Sequence, residues 1–391
     1  MRVTLTVLSG PNVGHAVVSE GHDAFIVGRS RWTSRLPHKD GYLSRHHFLV
    51  EISPPQCRVV DLDSRNGTFV NGKRVTTADL IDGDVVKAGR TAFRVSVGGA
   101  PVTATGGPGI GPTTIHVEAD ADVAVPGYRV VSELGRGGMG VVYEAVREAD
   151  GRVVALKTIR PSGGADRAAA ERFTREAAIL RRLDHPNVVK FHDGGEAAGV
   201  LWFAMEYVPG PDAGRWVGAN GPMPVPAAVE VTRAVLDGLG YAHRLGYVHR
   251  DIKPANVFLV PGPGGTFAVK VGDFGLARAY DASLVSGLTL TGDVGGTPAF
   301  MAPEQLLDFR NVGPQADLYS TAATLYYLLT GHFIFDLPAH TVGAYVFVLD
   351  EPPVPIRSRR PDVPEALAEA IHRALDKNPA RRSLALDALA P

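Results

Sequence analysis

The first hundred residues alternate apolar and polar positions in short runs, separated by turn-forming residues. Alternation with a period of two is typical of strands that bury one face. Dipeptides such as Asn66-Gly67 and Asn71-Gly72 favour tight turns between such strands. Helical periodicity is almost lacking here, so the pattern predicts an antiparallel β-sandwich. The predicted strands cover residues 3–8, 24–27, 48–52, 58–62, 68–70, 84–88 and 91–97.

From about residue 128 the chain mixes strand-like runs with helical periodicity. Residues 200–205 form an apolar run that predicts a buried strand. Apolar residues recur at helical spacing over 167–183 and again over 227–245, which predicts two amphipathic helices. The stretch between the N-terminal region and residue 127 is rich in Gly, Pro, Ala and Thr. Because it offers little apolar surface to bury, we expect it to be a flexible tether. The resulting organisation is multidomain, with an all-β domain over 1–98, a linker over 99–126 and an α+β domain over 127–391.

Composition and charge narrow the class of protein. The 391 residues include 40 basic and 41 acidic side chains, and this balance argues against a general nucleic-acid or membrane-surface binder. The single Cys57 rules out an intramolecular disulfide and fits a reducing compartment. No apolar run approaches the roughly 20 residues of a membrane helix, and the N-terminus lacks a signal-peptide pattern. We therefore expect a cytoplasmic protein with no membrane span and no nucleic-acid partner.

One polar stretch in the α+β domain carries candidate chemistry. Residues 249–256 read H-R-D-x-K-x-x-N and precede an apolar, strand-like run over 257–260. The carboxylate of Asp251, the ammonium of Lys253 and the carboxamide of Asn256 fit on one short loop. Phosphoryl transfer needs such a set: a base for the attacking hydroxyl, a cation for developing charge and an oxygen ligand for a metal.

Other motifs along the chain, taken together with this loop, indicate a resemblance to a known family. A glycine-rich loop spans residues 135–140 and an A-L-K run 155–157; D-F-G follows at 273–275 and A-P-E at 302–304. Over about two thirds of the chain, this set resembles the eukaryotic-type protein kinases, and more closely the bacterial Ser/Thr kinases. The resemblance implies a bilobal α+β protein-kinase fold that uses ATP and Mg²⁺ to phosphorylate protein substrates.

The resemblance also implies roles for individual residues. Asp251 would accept or orient the proton of the substrate hydroxyl, and Lys253 would lie along the transferring phosphoryl group. Lys157 would bind the α- and β-phosphates and pair with a helix glutamate, for which the family pattern favours Glu176 over Glu171. The metal ligands would be Asn256 and Asp273. The nucleotide-binding residues would be Gly135, Gly137, Gly140, Val142, Ala155, Lys157, Glu206 and Val208.

The segment between D-F-G and A-P-E carries several hydroxyl residues. By their position relative to residues 296–298, Thr289 and Thr291 match the sites that are autophosphorylated in bacterial relatives. Arg250, which stands beside Asp251, is arranged as in kinases whose active site is ordered by a phosphate on this segment. We therefore expect Thr289 and Thr291 to be phosphosites.

The interesting residues of the N-terminal domain lie in its predicted turns. The clusters Gly28-Arg29-Ser30, Ser44-Arg45-His46-His47 and residues 63–68 resemble those of a forkhead-associated (FHA) domain, a phosphothreonine-binding β-sandwich. By that resemblance, Arg29 and Ser44 would hold the phosphate, His47 would brace the loops and Asn66 would bond the peptide backbone. Arg45 and Arg65 would add contacts beside the peptide. The alternative is that Arg29 is a surface charge and that the Asn-Gly pairs only close hairpins.

Functions of different classes fit this organisation. The first is an active Ser/Thr kinase whose FHA domain recruits phosphothreonine-containing partners, including phosphorylated segments of its own chain. The second is a pseudokinase fused to a phosphopeptide-binding scaffold, and the third is a small-molecule kinase of related fold. All the residues needed for phosphoryl transfer are present, so the sequence does not support the pseudokinase scaffold. The A-P-E segment with its threonine-bearing loop favours a protein substrate over a small molecule.

Overall fold

The computed structural model describes most of the chain, in residues 1–21, 23–30, 34–37, 40–98, 125–137, 140–159, 180–197, 199–274, 298–307, 312–336 and 348–383. The chain divides into two compact units. One contains residues 1–97, 182–190 and 208–391, and the other contains residues 98–181 and 191–207. The residues from 208 onward are called the C-terminal lobe below.

The N-terminal domain is a β-sandwich of two sheets. The six-stranded sheet has the order β2-β1-β11-β10-β7-β8, and the five-stranded sheet has the order β4-β3-β5-β6-β9. The strands are β1 (Arg2–Ser9), β2 (Ala16–Glu20), β3 (Asp23–Gly28), β4 (Ser34–Pro37), β5 (Phe48–Ser53), β6 (Gln56–Asp61), β7 (Thr68–Val70), β8 (Lys73–Val75), β9 (Thr77–Asp79), β10 (Val85–Ala88) and β11 (Thr91–Gly98). Strands β3 and β4 are parallel. The pairs β1–β2, β3–β5, β5–β6, β6–β9, β7–β8, β7–β10 and β10–β11 are antiparallel.

The sandwich core forms between the two sheets. Alternate residues of each strand point inward, so that Phe25, Val50 and Val59 of the five-stranded sheet meet Leu5 and Phe93 of the other. Cys57 is also in this core, where burial raises the pKa of its thiol to about 12. The thiol is therefore an inert structural group, as its position in an apolar strand would suggest.

The predicted strands of this domain are present, and four further ones occur. Strands β2, β4, β8 and β9 were not predicted, and they have only three to five residues each. Such short segments carry too few positions to show a period of two. Asn71 and Gly72 adopt positive φ and join β7 to β8 with a two-residue turn, so this Asn-Gly pair does close a hairpin.

The second unit is a five-stranded antiparallel sheet of order β12-β13-β14-β16-β15. An apolar cluster that includes Tyr128, Leu156 and Trp202 covers one of its faces. The strands are β12 (Tyr128–Gly137), β13 (Gly140–Arg147), β14 (Val153–Ile159), β15 (Phe191–Ala197) and β16 (Val200–Glu206). The strand predicted at 200–205 corresponds to β16.

Helices dominate the described part of the C-terminal lobe. They are α1 (Ala213–Asn220), α2 (Val225–Arg244), α3 (Pro303–Leu307), α4 (Pro314–Thr330), α5 (Ile356–Arg359) and α6 (Glu365–Ala374), beside one hairpin of β17 (Val257–Pro261) and β18 (Phe267–Val271). Helix α2 matches the helix predicted over 227–245. Helix α4 is buried on nearly all sides and ends at Gly331, whose left-handed backbone lets its N–H bond to the Tyr327 carbonyl. Among the described helices, none has both the length and the apolar character needed to cross a bilayer.

Candidate functional site

The carboxylate of Asp317 fixes the backbone of the loop that carries Asp251. Its Oδ2 accepts a hydrogen bond from the His249 N–H at 2.8 Å, and its Oδ1 accepts one from the Arg250 N–H at 2.7 Å. The Nε2 atom of His243 lies 2.7 Å from the same Oδ2. Asp317 has no exposed surface. These bonds hold Arg250 at a φ of +67°, a left-handed conformation that a non-glycine residue adopts only when its surroundings impose it.

Two polar side chains of the catalytic loop, residues 249–256, converge on the carboxylate of Asp251. The Lys253 Nζ lies 3.0 Å from Asp251 Oδ2. The Asn256 Nδ2 donates to the same oxygen at 3.0 Å and to the Asp251 carbonyl at 2.7 Å. A short 3-10 turn over Pro254–Asn256 brings the carboxamide back toward the aspartate. The loop therefore presents an oriented carboxylate with a cation and an amide beside it.

The β17–β18 hairpin sets two oxygen-bearing side chains near its open end. Val257 pairs with Val271, so Asn256 directly precedes the first strand and Asp273 closely follows the second. The Gly272 N–H donates to the Asn256 carbonyl at 2.9 Å and ties the two segments together. Asp273 has a positive φ of 58°. A carboxamide and a carboxylate supply the oxygen ligands that Mg²⁺ prefers, so this pair fits the implied metal.

His249 connects the catalytic loop to the segment after β18. Its Nδ1 accepts the Asp251 N–H at 3.2 Å, which leaves Nε2 to donate to the Gly272 carbonyl at 2.7 Å. Its ring meets the edge of Phe274 with 4.5 Å between the centroids. The buried imidazole thereby couples the positions of Asp251 and of the D-F-G motif, and this coupling was not predicted from the sequence.

A buried ion pair joins the last residue of the A-P-E motif to Arg382. Both carboxylate oxygens of Glu304 accept from the guanidinium of Arg382, at 2.5 and 2.7 Å. Arg382 also donates to the carbonyls of Gln315 and Asp376, at 2.9 and 2.7 Å. Its guanidinium carbon lies 4.9 Å from the centroid of the Tyr319 ring. The many partners of Arg382 offset the cost of burying both charges.

Gln305 is a positioning residue that the sequence analysis missed. Its Nε2 donates to the carbonyl of Arg250 at 2.7 Å, while its Oε1 accepts the Ala302 N–H at 2.9 Å. Helix α3 is thereby bonded to the catalytic loop next to Asp251. The only signal in the sequence was its place directly after Glu304, because a glutamine on a short helix is more often a surface residue.

Lys157 lies on the face of the second sheet opposite the apolar cluster. The register pairs it with Val142 on β13, and Ala155 stands two residues earlier on the same strand. All three share one face, whereas Leu156 points into the cluster on the other. The ammonium-bearing side chain is largely buried. This face therefore combines a buried cation with small and β-branched apolar groups.

The glycine-rich hairpin before Lys157 depends on one close approach. Gly137 pairs with Gly140 at the tip, and Gly135 pairs with Val142. Gly140 has a φ of +140°, and a Cβ on it would lie 2.0 Å from the Thr158 carbonyl oxygen. Only glycine fits there, because both the backbone conformation and the space exclude a side chain.

Two predicted nucleotide-binding residues, Glu206 and Val208, lie at and just after the end of β16. Glu206 is the last residue of β16 and pairs with Val154. The carbonyl of Val208 accepts the Gly210 N–H at 2.9 Å. Both residues are partly exposed.

In the N-terminal domain, the end of β3 lies directly against the segment before β5. The Arg29 N–H donates to the Ser44 carbonyl at 2.9 Å, and the Ser30 N–H donates to the Arg45 carbonyl at 3.0 Å. A Cβ on Gly28 would lie 2.1 Å from that Arg45 carbonyl oxygen, so the approach requires glycine. The exposed Arg29 is thereby fixed next to Ser44 through its backbone.

His47 joins two of the turns from inside the domain. Its Nδ1 accepts the Ser44 N–H at 3.0 Å, so Nε2 carries the proton and donates to the Gly67 carbonyl at 3.2 Å. The side chain is fully buried, and burial lowers the pKa of His47 below its ordinary value. The ring is therefore neutral at physiological pH and holds the Ser44 and Gly67 turns at a fixed separation.

The remaining predicted residues gather at the same end of the sandwich. The Ser44 Oγ accepts the Arg65 N–H at 3.1 Å, and the Asn66 Nδ2 donates to the Tyr42 carbonyl at 2.7 Å. Arg45, Arg65 and Asn66 are exposed. Together with Arg29, the turns thus present three arginines near the Ser44 hydroxyl. This arrangement is suitable for binding an anionic group. Glu176, Thr289 and Thr291 lie outside the described residues.

Two family models match the chain. The protein kinase domain model covers residues 128–390, and the FHA domain model covers residues 25–89. Both resemblances drawn from the sequence are confirmed, together with the fold class.

Curated relatives and solved structures give the same result. The chain is 39% identical over 269 residues to the serine/threonine-protein kinase pkn3 of Myxococcus xanthus, covering 67% of this chain and 48% of that protein. It is 40% identical over 269 residues to PknJ of Mycobacterium tuberculosis, covering 68% and 44%. The chain thus spans about half the length of these curated relatives.

Among solved structures, the PknI kinase domain of Mycobacterium tuberculosis is 32% identical, with a TM-score of 0.51 and coverage of 67% of this chain and 92% of that one. Rad53 1-466, solved in complex with AMP-PNP, is similar over 100% of this chain and 98% of that chain, with a TM-score of 0.55. Its identity is 21%, so it shows similarity of fold alone.

Proposed function

The chain belongs to the protein kinase family and carries an FHA domain before its kinase domain, and on this premise we propose that it transfers the γ-phosphate of ATP to Ser and Thr hydroxyls of proteins. The enzyme class is that of the non-specific serine/threonine protein kinases. The observation that carries the proposal is the convergence of Lys253 and Asn256 on the carboxylate of Asp251.

Asp251 orients the attacking hydroxyl and accepts its proton. The hydrogen bond from Asn256 and the ion pair with Lys253 hold the carboxylate in one orientation, so it needs no rearrangement when substrate binds. Lys253 lies beside the same oxygen and places a positive charge where the transferring phosphoryl group becomes more negative. The bonds from Asp317 keep the backbone under these side chains fixed.

The nucleotide roles are those that the kinase family gives to the matching residues. Lys157 binds the α- and β-phosphates, with Glu176 as its partner, and the glycines at 135, 137 and 140 allow backbone N–H groups to approach the phosphates. Val142, Ala155, Glu206 and Val208 contact the adenine end. Asn256 and Asp273 would hold Mg²⁺, which would offset the charge of the triphosphate.

The FHA domain binds phosphothreonine in proteins or peptides. The turns fixed by His47 present Arg29 and Ser44 to the phosphate, while Asn66 bonds the peptide backbone and Arg45 and Arg65 add positive charge beside it. This proposal is supported by the backbone bonds that join the Arg29 and Ser44 segments and by the exposure of the arginines.

Autophosphorylation connects the two activities. Phosphate on Thr289 or Thr291 orders the segment through Arg250 and creates a phosphothreonine that the FHA domain of another copy can bind. A tethered ligand in the same chain would reach an effective concentration of roughly millimolar for a short flexible linker. The balanced charge and the single inert cysteine favour a cytoplasmic location for this activity.

The test is incubation of the purified chain with ATP and Mg²⁺, followed by mapping of phosphosites by mass spectrometry. The wild type should carry phosphate on Thr289 or Thr291, and Asp251→Asn should carry none. Phosphate on neither protein would contradict autonomous activity and would favour the pseudokinase scaffold.

The recruiting role needs a separate comparison. Arg29→Ala should leave transfer to a generic peptide substrate unchanged, because it does not touch the catalytic loop. It should slow transfer to substrates that already carry phosphothreonine. Unchanged autophosphorylation kinetics and unchanged substrate choice in Arg29→Ala would contradict recruitment.

A further inference from the structure

The outer face of the five-stranded sheet of the FHA domain is apolar and buried. The register places Ile26, Leu49 and Val60 side by side on β3, β5 and β6, and their exposures are 3%, 6% and 2%. Their neighbours Phe25 and Val50 point into the core between the two sheets. Because successive residues of a strand point to opposite faces, the Ile26–Leu49–Val60 row lies on the face away from that core.

Such a row needs a covering element. An antiparallel sheet in a free sandwich presents polar side chains to water on its outer face. Here helix α3 of the C-terminal lobe lies against β3. The helix carries Leu306, which is itself buried. The FHA domain and the C-terminal lobe accordingly belong to the same compact unit.

Charged groups accompany the apolar contact. The Asp350 Oδ2 lies 3.3 Å from His46 Nδ1 and 3.9 Å from an Arg45 guanidinium nitrogen. The His46 side chain is 1% exposed, whereas the Arg45 side chain is 69% exposed. Exposed ion pairs contribute little to stability, so the buried contact with His46 is the stronger of the two. Both basic residues belong to the Ser44–His47 turn.

Glu51 gives independent support for a covered face. It pairs with Ala24 and Arg58 in the register, which puts it on the same outer face as Ile26. A carboxylate on an open sheet surface would be solvated, yet Glu51 is buried. Burial raises its pKa to about 7 in spite of the attraction of Arg58.

We propose that the FHA domain docks on the C-terminal lobe of its own chain, through the Ile26–Leu49–Val60 row against α3 and through the Asp350 contact with Arg45 and His46. Helix α3 also bonds the catalytic loop, since Gln305 donates to the Arg250 carbonyl. The docked face is therefore separated from the loop of Asp251 by a single short helix.

Docking opposes phosphothreonine binding, and this second part rests on the proposed phosphopeptide function. Asp350 neutralises the charge of Arg45 and adds a negative charge next to the turn that carries Ser44. A phosphate approaching that turn is repelled by this carboxylate and deprived of one arginine. Ligand binding to the FHA turns consequently favours release of the domain from α3.

The docking is tested on the full chain by small-angle X-ray scattering. Ile26→Thr keeps a β-branched side chain but removes apolar surface from the docked row, and Val18→Thr is the matched control on an exposed FHA strand. Ile26→Thr should raise the undocked fraction by roughly tenfold and increase the radius of gyration. Val18→Thr should match the wild type.

Charge reversal tests the second contact. Asp350→Lys should also increase the radius of gyration, and adding Arg45→Glu to it should restore much of the wild-type value. Glu365→Lys is the control, because Glu365 pairs with Arg357 of the C-terminal lobe and not with the FHA domain. Near-ultraviolet circular dichroism of each variant separates undocking from loss of the fold. An extended wild type, or identical scattering of folded Ile26→Thr, Asp350→Lys and their controls, would overturn the docking.

A binding experiment then tests the antagonism. The probe is a degenerate peptide library fixed at a central phosphothreonine, with the unphosphorylated library as reference. Asp350→Asn should bind the phosphorylated library several-fold more tightly than the wild type, and Glu365→Gln should not. Equal affinities would overturn the antagonism, and loss of binding in every variant would instead contradict the phosphopeptide function.

Discussion

At the scale of single residues, Asp317 shows how a buried acidic group can fix the backbone of a catalytic loop to which it does not belong. Its two oxygens accept from two successive backbone N–H groups, one from each. A neutral carboxamide offers one oxygen and one N–H₂ group. One backbone donor would then face another donor inside the protein.

Asp317→Asn should therefore destabilise the chain by about 3 kcal/mol, as expected for breaking a buried charged network. It should also lower the transfer rate by roughly tenfold or more, because Arg250 and Asp251 lose their fixed backbone. Denaturant unfolding and peptide-substrate kinetics measure the two effects. Asp362→Asn, an exposed partner of Arg360, is the control and should change stability by less than about 0.5 kcal/mol.

Glu51 carries a prediction about pH. Its pKa is raised from 4.5 in the unfolded chain to about 7 in the folded one, chiefly by burial. The folded state thus binds a proton that the unfolded state releases, so stability falls as pH rises from about 4.5 to 7. The loss reaches at most about 3 kcal/mol.

Glu51→Gln should remove this dependence, since the carboxamide stays neutral at every pH. The difference in unfolding free energy between variant and wild type should be small near pH 4 and greatest above pH 7. Denaturant unfolding across this range measures it, with Glu20→Gln as the control because that side chain is 74% exposed. A constant difference at every pH would contradict the shift.

At the scale of elements, the FHA turns depend on how closely β3 meets the Ser44–Arg45 segment. The contact is made between backbone atoms, so its geometry depends on Gly28 rather than on the arginines that face solvent. A flexible side chain could move aside, but a carbonyl held in a hydrogen-bonded segment cannot.

Gly28→Ala should separate the Arg29 and Ser44 segments, since its Cβ would lie 2.1 Å from the Arg45 carbonyl oxygen. We expect a destabilisation of about 2 kcal/mol or more and a loss of phosphothreonine-peptide binding. Gly41→Ala is the matched control, because a Cβ there meets no atom within 4 Å. Binding is measured by calorimetry, and full binding by Gly28→Ala would contradict the importance of this contact.

The sequence predicted strands and helices well where their periodic pattern is long. It predicted poorly those features that depend on how strands and loops are placed against each other. Alternation was sufficient for strands such as β5 and β11, and helical spacing was sufficient for α2. The burial of Ile26, Leu49 and Val60 could not be predicted, because apolar residues on both faces of a strand do not reveal what covers the second face. In the site, Asp251, Lys253 and Asn256 were predicted from their spacing and from the family resemblance. Gln305 was not predicted, since its partner is a backbone carbonyl.

At the scale of the molecule, the proposed ATP and Mg²⁺ ligands lie far apart along the chain, from Gly135 to Asp273. A ligand that binds the folded protein and not the unfolded chain stabilises the fold through its free energy of binding.

ATP with Mg²⁺ should therefore stabilise the folded protein, by about 2.7 kcal/mol at a ligand concentration of 100 Kd. Removing the metal with a chelator should abolish most of this gain, and Asp273→Asn should reduce it even when Mg²⁺ is present. Thermal unfolding with and without nucleotide measures the effect, with Asp362→Asn as the control. An equal gain with ATP alone would contradict metal binding by Asn256 and Asp273.

The buried thiol in the sandwich core has a practical consequence. Cys57 is the only cysteine of the chain, and with a pKa of about 12 it should not react with maleimide or iodoacetamide dyes under native conditions. Cysteines introduced on the surface would then be the sole labelled positions, without prior removal of a native one. A donor dye on the FHA domain and an acceptor on the C-terminal lobe would let single-molecule fluorescence follow their separation through a full round of phosphorylation.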